Sequence, residues 1–128
     1  MFTLDEKITR EKANNMNPVV LAFIGDAVYS LFVREELSFH HDFKTGELNK
    51  LASMKVNAKA QADYVSKILP ELTEEELAVY KRARNTKKAT KSKSSTVAEY
   101  NMSTGFEALV GYLYVIGEME RLNYLLNL

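Results

Sequence analysis

Apolar residues recur along this chain at helical spacing, and they almost never alternate with polar ones. The first long run, VVLAFIGDAVYSLFVREE, begins at Val19 and reaches about residue 36. It is apolar on nearly every side, so it is expected to be a central helix. Asn17-Pro18 announces its start, with Asn17 as cap and Pro18 in the first turn, where a missing N–H costs nothing. A polar helix over about residues 4–14 precedes it. His40 to Phe43 reads as a loop. From Lys44 or Thr45 a helix places Leu48, Leu51, Ala52 and Val56 on one face. Asn57 breaks or bends it, and a helix over Ala58–Leu69 ends at Pro70. Thr73 to Glu76 form a capping box, in which hydroxyl and carboxylate each satisfy the other residue's backbone N–H. The helix that follows runs to about Arg84. Residues 85–96 hold no large apolar side chain and read as a mobile surface loop. A second long apolar helix spans about residues 98–117, and a short one, Glu118–Leu126, follows. No Asn-Gly or Asp-Gly hairpin turn occurs. The expected fold is all-α, about seven helices in one domain over residues 1–128, with no internal repeat.

Composition narrows the class. The 128 residues are 46% hydrophobic and 27% charged, as in an ordinary globular domain. No cysteine is present, which excludes disulfides and thiolate metal sites. No apolar run approaches the roughly 18 residues that cross a bilayer. The charged N-terminus lacks the apolar core of a signal peptide. A cytoplasmic location without membrane contact is therefore expected. The net charge is zero, but its distribution is uneven. Residues 81–93, KRARNTKKATKSK, carry seven Lys or Arg and no acid, which leaves the other residues at −7. A polyanionic partner would meet Arg82, Arg84, Asn85, Lys87, Lys88, Lys91 and Lys93 there. A solvated loop explains the same pattern equally well.

Two acids stand alone in the two long apolar helices. Asp26 is the only acid between Asn17 and Arg34, on a stripe with Ala22, Ser30 and Arg34. Glu107 is the only acid between Tyr100 and Gly117, on a stripe with Ser103 and Gly111. Gly25 next to Asp26 costs its helix about 1 kcal/mol against Ala, which suggests close approach of another helix or a ligand. Helices crossing at these small stripes would bring the two carboxylates together. A hard divalent cation would then relieve their repulsion and supply phosphodiester chemistry. The competing reading is structural: Asp26 pairs with a basic residue such as Arg34, and Glu107 faces solvent. His40 and His41 are adjacent, have no third ligand near, and read as surface residues.

Four segments add a resemblance. IGDAV in its apolar helix resembles the signature helix of the ribonuclease III catalytic domain. STGFEALVGYLY resembles that family's second acidic motif. RARNTKK before the last long helix, and NKLASMKVNAKAQADYV, are similar to its Mini-ribonuclease III branch. The resemblance covers about residues 15–125. It implies a homodimeric, Mg²⁺-dependent endoribonuclease, with Mn²⁺ as a substitute. Such an enzyme cuts double-stranded RNA in a valley across the dimer and leaves short 3′ overhangs. It implies catalytic and metal-binding roles for Asp26 and Glu107, and a dimer contact at Phe23, where core packing is the bland reading. The branch lacks the separate double-stranded-RNA-binding domain, as this chain is expected to. The implied substrate is precursor large-subunit (23S) ribosomal RNA, with a ribosomal protein as a further partner. The chain departs from ribonuclease III at three positions where that family has acids: Val19, Ala22 and Thr104. A minimal two-carboxylate site is expected, completed by substrate phosphate. The departures also allow a non-catalytic double-stranded-RNA-binding module, and a helical scaffold with another acidic partner is a third reading.

Overall fold

Helix boundaries follow local hydrogen-bond chemistry throughout. The computed structural model describes residues 5–88 and 95–128. Its elements are α1 (Arg10–Asn14), α2 (Pro18–Phe39), α3 (Thr45–Val56), α4 (Ala58–Ile68), a 3₁₀ turn (Leu69–Glu71), α5 (Glu74–Asn85), α6 (Val97–Val115) and α7 (Met119–Leu126). No strand occurs among the described residues. The all-α fold with seven α-helices is as expected.

The caps explain most of these limits. Asn17 accepts from the Val19 N–H at 2.9 Å. Asn57 serves two helices: its Oδ1 accepts from the Ala60 N–H at 2.8 Å, and its Nδ2 donates to the Ser53 carbonyl at 3.1 Å. One residue thereby closes α3 and opens α4. The Thr73/Glu76 capping box is present. A second box, Thr96/Glu99, starts α6 at Val97; the same S/T-x-x-E spacing was there to be read in the sequence.

The N-terminal helix is shorter than expected. Residues 5–9 are not helical, and residue 4 lies outside the described residues. Thr9 is the reason, since its hydroxyl caps the Lys12 N–H at 3.1 Å and fixes the start at Arg10. The preceding segment docks on the core instead, with Ile8 donating to the Val115 carbonyl at 2.9 Å. Arg10 bridges Glu75 and Glu118.

The central helix is α6, not α2. Between Ser103 and Leu113 every residue of α6 is buried except Glu107. α2, α4, α5 and α7 all pack around it. Phe106 takes edge-on contacts from Tyr29 of α2 and Tyr64 of α4, at 4.9 and 5.8 Å between ring centres. α2 buries one stripe, Leu21, Ala22, Gly25, Tyr29, Val33 and Leu37. Other apolar residues of α2, among them Val20, Phe23 and Leu31, are exposed. An all-round apolar helix was expected to be enclosed, but the other helices cover only one side of it.

The α2–α6 crossing fixes the geometry that matters for chemistry. A Cβ on Gly25 would lie 1.7 Å from the Glu107 carbonyl oxygen, and one on Gly111 would lie 2.0 Å from that of Leu21. Neither approach is compatible with any side chain. Both glycines are therefore required, because the two backbones touch.

Candidate active site

Backbone contact between Gly25 and Glu107 sets Asp26 beside Glu107. The two small-residue stripes do cross, and they bring the lone acids of the two helices together. The two carboxyls border one cavity, close enough for Asp26 to perturb Glu107. Asp26 is exposed, while Glu107 is half-buried at the inner end. Both line a cavity of about 200 Å³, with Val19, Ala22, Phe23, Lys88, Tyr100 and Thr104. Val19, Ala22 and Thr104 are the positions where related sites were expected to carry more acids. All three border this cavity, and none supplies a carboxylate. The Thr104 hydroxyl is turned away to the Tyr100 carbonyl at 3.0 Å.

Burial pushes the Glu107 carboxyl up from 4.5 to about 9, and the neighbouring Asp26 pushes in the same direction by hydrogen bonding and charge. Gln61 opposes them. Arg34 does not neutralise Asp26. It lies eight residues further along α2, roughly 12 Å at 1.5 Å per residue, and lines a separate hollow with Thr45 and Leu48 of α3. No cluster of three or more His, Cys, Asp or Glu side chains suited to a metal occurs among the described residues. The donor set is thus two carboxylates at the mouth of a small open cavity. Its chemistry fits an oxygen-seeking cation that keeps most of its water, as Mg²⁺ does.

The basic residues are less free than a solvated loop implies. Arg82 donates to the Asn14 carbonyl at 2.7 Å and ties α5 to α1. Arg84 lies over the Tyr80 ring at 5.5 Å and donates to Asn85 at 3.1 Å. Lys88 donates to the carbonyls of Ala83 and Arg84 at 2.7 and 2.8 Å, closing the end of α5. Burial lowers its pKa from the usual lysine value. Lys88 also borders a second, larger hollow of about 480 Å³, with Arg84, Asn85, Lys87, Tyr100 and Asn101. It therefore joins a basic surface to the carboxylate cavity. Lys91 and Lys93 lie outside the described residues. His40 and His41 are exposed at the C-terminal end of α2; His40 faces Glu36 at 3.6 Å.

Residues 19–118 match the model of the ribonuclease III domain. The chain belongs to the ribonuclease III family. Within it, the Mini-ribonuclease 3 of Clostridium tetani is 42% identical over 128 residues, covering 99% of this chain and 85% of that protein. The Mini-ribonuclease 3 of Streptococcus pneumoniae is 46% identical over 116 residues, with 89% and 91% covered. A crystal structure of a Fusobacterium nucleatum protein superposes with a TM-score of 0.81 at 37% identity, covering 88% of this chain and 92% of that one. The ribonuclease III resemblance read from the sequence is thus shown, and the family makes the chain a ribonuclease. No described helix is long and apolar enough to cross a membrane.

Two residues of the site escaped the sequence reading. Tyr100 opens the cavity one turn before Thr104. Gln61 sits on the buried face of α4 with Val65 and Ile68. A lone amide at core spacing was the available signal.

Proposed function

We propose that this ribonuclease is an endonuclease that hydrolyses double-stranded RNA with the help of Mg²⁺ or Mn²⁺ held by Asp26 and Glu107. The observation that carries the reading is the meeting of the two lone acids at a helix crossing that only glycines permit. When bound, a divalent cation supplies a polarised water and neutralises charge on the phosphodiester. The chain's own residues set the rest. Asp26 presents its carboxylate from the exposed face of α2, and Glu107 does so from the enclosed face of α6. With Val19, Ala22 and Thr104 silent as ligands, the remaining positions around the cation fall to water and substrate phosphate.

Grip on RNA is assigned to Arg82, Arg84, Asn85, Lys87, Lys88, Lys91 and Lys93. Phosphate contacts of this kind hold a duplex by shape and charge without reading its sequence. The hollow lined by Arg84, Lys87 and Lys88 shares Lys88 and Tyr100 with the carboxylate cavity, which supports that assignment. The working unit is proposed to be a homodimer joined through Phe23, which is 79% exposed although fully apolar. Around it Ile24, Ala27, Val28, Leu31 and Met119 line an apolar hollow of about 570 Å³, a patch that favours association. Precursor 23S ribosomal RNA is the proposed substrate and the cytoplasm the proposed location, with a ribosomal protein as an accessory partner and the catalytic domain spanning residues 1–128.

The test is incubation with a long RNA duplex and Mg²⁺, with and without chelator. Cleavage should require the cation, fall steeply with salt, and vanish in Asp26→Asn and Glu107→Gln while duplex binding survives. Duplex left intact by the wild-type protein would point instead to a non-catalytic RNA-binding module. Cleavage by either variant at the wild-type rate would overturn the site.

A further inference from the structure

The fully buried polar side chains among the described residues are Gln61, Glu76, Ser103 and Thr104. Three of them have evident partners. Glu76 is held by Arg121 and Thr73. Ser103 and Thr104 donate to the Tyr100 carbonyl. Gln61 differs. It is 1% exposed, and its Nε2 makes no hydrogen bond of full geometry. A buried amide without a partner is costly, and native proteins rarely keep one without a use.

Its position suggests the use. Gln61 closes the first turn of α4 on its buried face, and α4 packs against α6, the helix that carries Glu107. The group it acts on is the Glu107 carboxyl, whose upward shift the amide opposes, although its Nε2 completes no hydrogen bond. Apolar residues would fill this place equally well if packing were its only purpose, as Val65 and Ile68 do on the same stripe. An amide here gives Glu107 a neutral donor on its enclosed side, where water cannot reach. A neutral donor also adds no further negative charge to a site that already holds two carboxylates.

We propose that Gln61 is a positioning residue, whose side-chain amide donates to Glu107 from the protein interior and holds its carboxylate in the orientation that binds the cation. The proposal rests on the reading of Asp26 and Glu107 as the metal site. Partners behind a ligating carboxylate tune metal affinity by roughly 10–100-fold when removed.

The test compares the wild-type protein with Gln61→Met, which keeps the length and removes the amide, and with Asp26→Asn. Mn²⁺ binding is measured from the free-ion electron paramagnetic resonance signal. Gln61→Met should melt, metal-free, no lower than the wild type and bind Mn²⁺ at least about 10-fold more weakly. A second measurement needs no variant at position 61. The side-chain amide ¹H–¹⁵N resonances of Gln61 should shift when Mg²⁺ is added to the wild-type protein, and should not respond in Glu107→Gln. This decides the matter if Gln61→Met does not fold. Equal Mn²⁺ affinity in Gln61→Met and wild type, or Gln61 resonances indifferent to Mg²⁺, would overturn the role of Gln61 alone. Equal Mn²⁺ binding by Asp26→Asn and wild type would overturn the metal site, and the Gln61 proposal with it.

Discussion

Replacing Glu107 by Gln should stabilise the metal-free protein while destroying its activity. Burial and the adjacent Asp26 raise the Glu107 carboxyl from 4.5 to about 9. At pH 7 the folded protein therefore holds a proton there, whereas the unfolded chain releases it. A raised carboxyl contributes stability in full below about pH 4.5 and loses it progressively up to about pH 9. Glutamine mimics the protonated form and does not titrate. The gap of 2.5 units between 4.5 and pH 7 corresponds to about 3.4 kcal/mol as an upper bound at 1.36 kcal/mol per unit. Solvent at the open cavity screens part of this, so about 1–3 kcal/mol is expected. For a domain of this size that gain is roughly 4–12 °C in melting temperature. The assay is thermal denaturation of both proteins in chelator from pH 4 to 9. The two curves should coincide near pH 4 and separate as pH rises, with the variant higher. Adding Mg²⁺ should close or reverse the gap, because cation binding requires the ionised carboxylate and stabilises only the wild type. Parallel pH profiles for the two proteins would refute the reasoning, since no carboxyl at position 107 would then be titrating out of its normal range.

Three further outcomes follow from the packing. Gly111→Ala should cost more than about 3 kcal/mol, because its methyl would sit 2.0 Å from a backbone carbonyl that cannot move aside; urea denaturation checks this, and a loss below 1 kcal/mol would mean that the α2–α6 crossing is not in backbone contact. Arg121→Met should cost about 3 kcal/mol by leaving the buried Glu76 carboxylate unpaired. Burial alone would raise the Glu76 pKa, but Arg121 and Thr73 outweigh it and hold it below the ordinary range. Wild-type stability should accordingly fall as the pH drops below about 4.5, and Arg121→Met should show a weaker fall in the same urea series. Phe23→Lys should convert a dimer to a monomer by light scattering and reduce duplex cleavage, whereas an unchanged mass would remove Phe23 from the proposed interface.

Helix content, most boundaries and the two acids were legible in the sequence because they depend on local chemistry. Apolar spacing shows which residues a helix buries, and caps such as Asn17, Asn57 and Thr73 mark its ends through side chains that reach their own backbone. The pairing of Asp26 with Glu107 was also within reach, since small residues flank each acid and only small residues allow helices to cross closely. Other features needed the tertiary structure. α2 and α6 are equally apolar in sequence, and which of them becomes the centre depends on where the remaining helices pack. The exposed side of α2 could not be told from a buried one for that reason. Lys88 reads as one more loop cation until the end of α5 is seen under its ammonium. Gln61 reads as a polar residue on an ordinary amphipathic helix, and only the packing of α4 on α6 places its amide behind Glu107. The raised Glu107 carboxyl belongs to the same class, because burial and a neighbour 81 positions away in sequence act together only once the chain has folded.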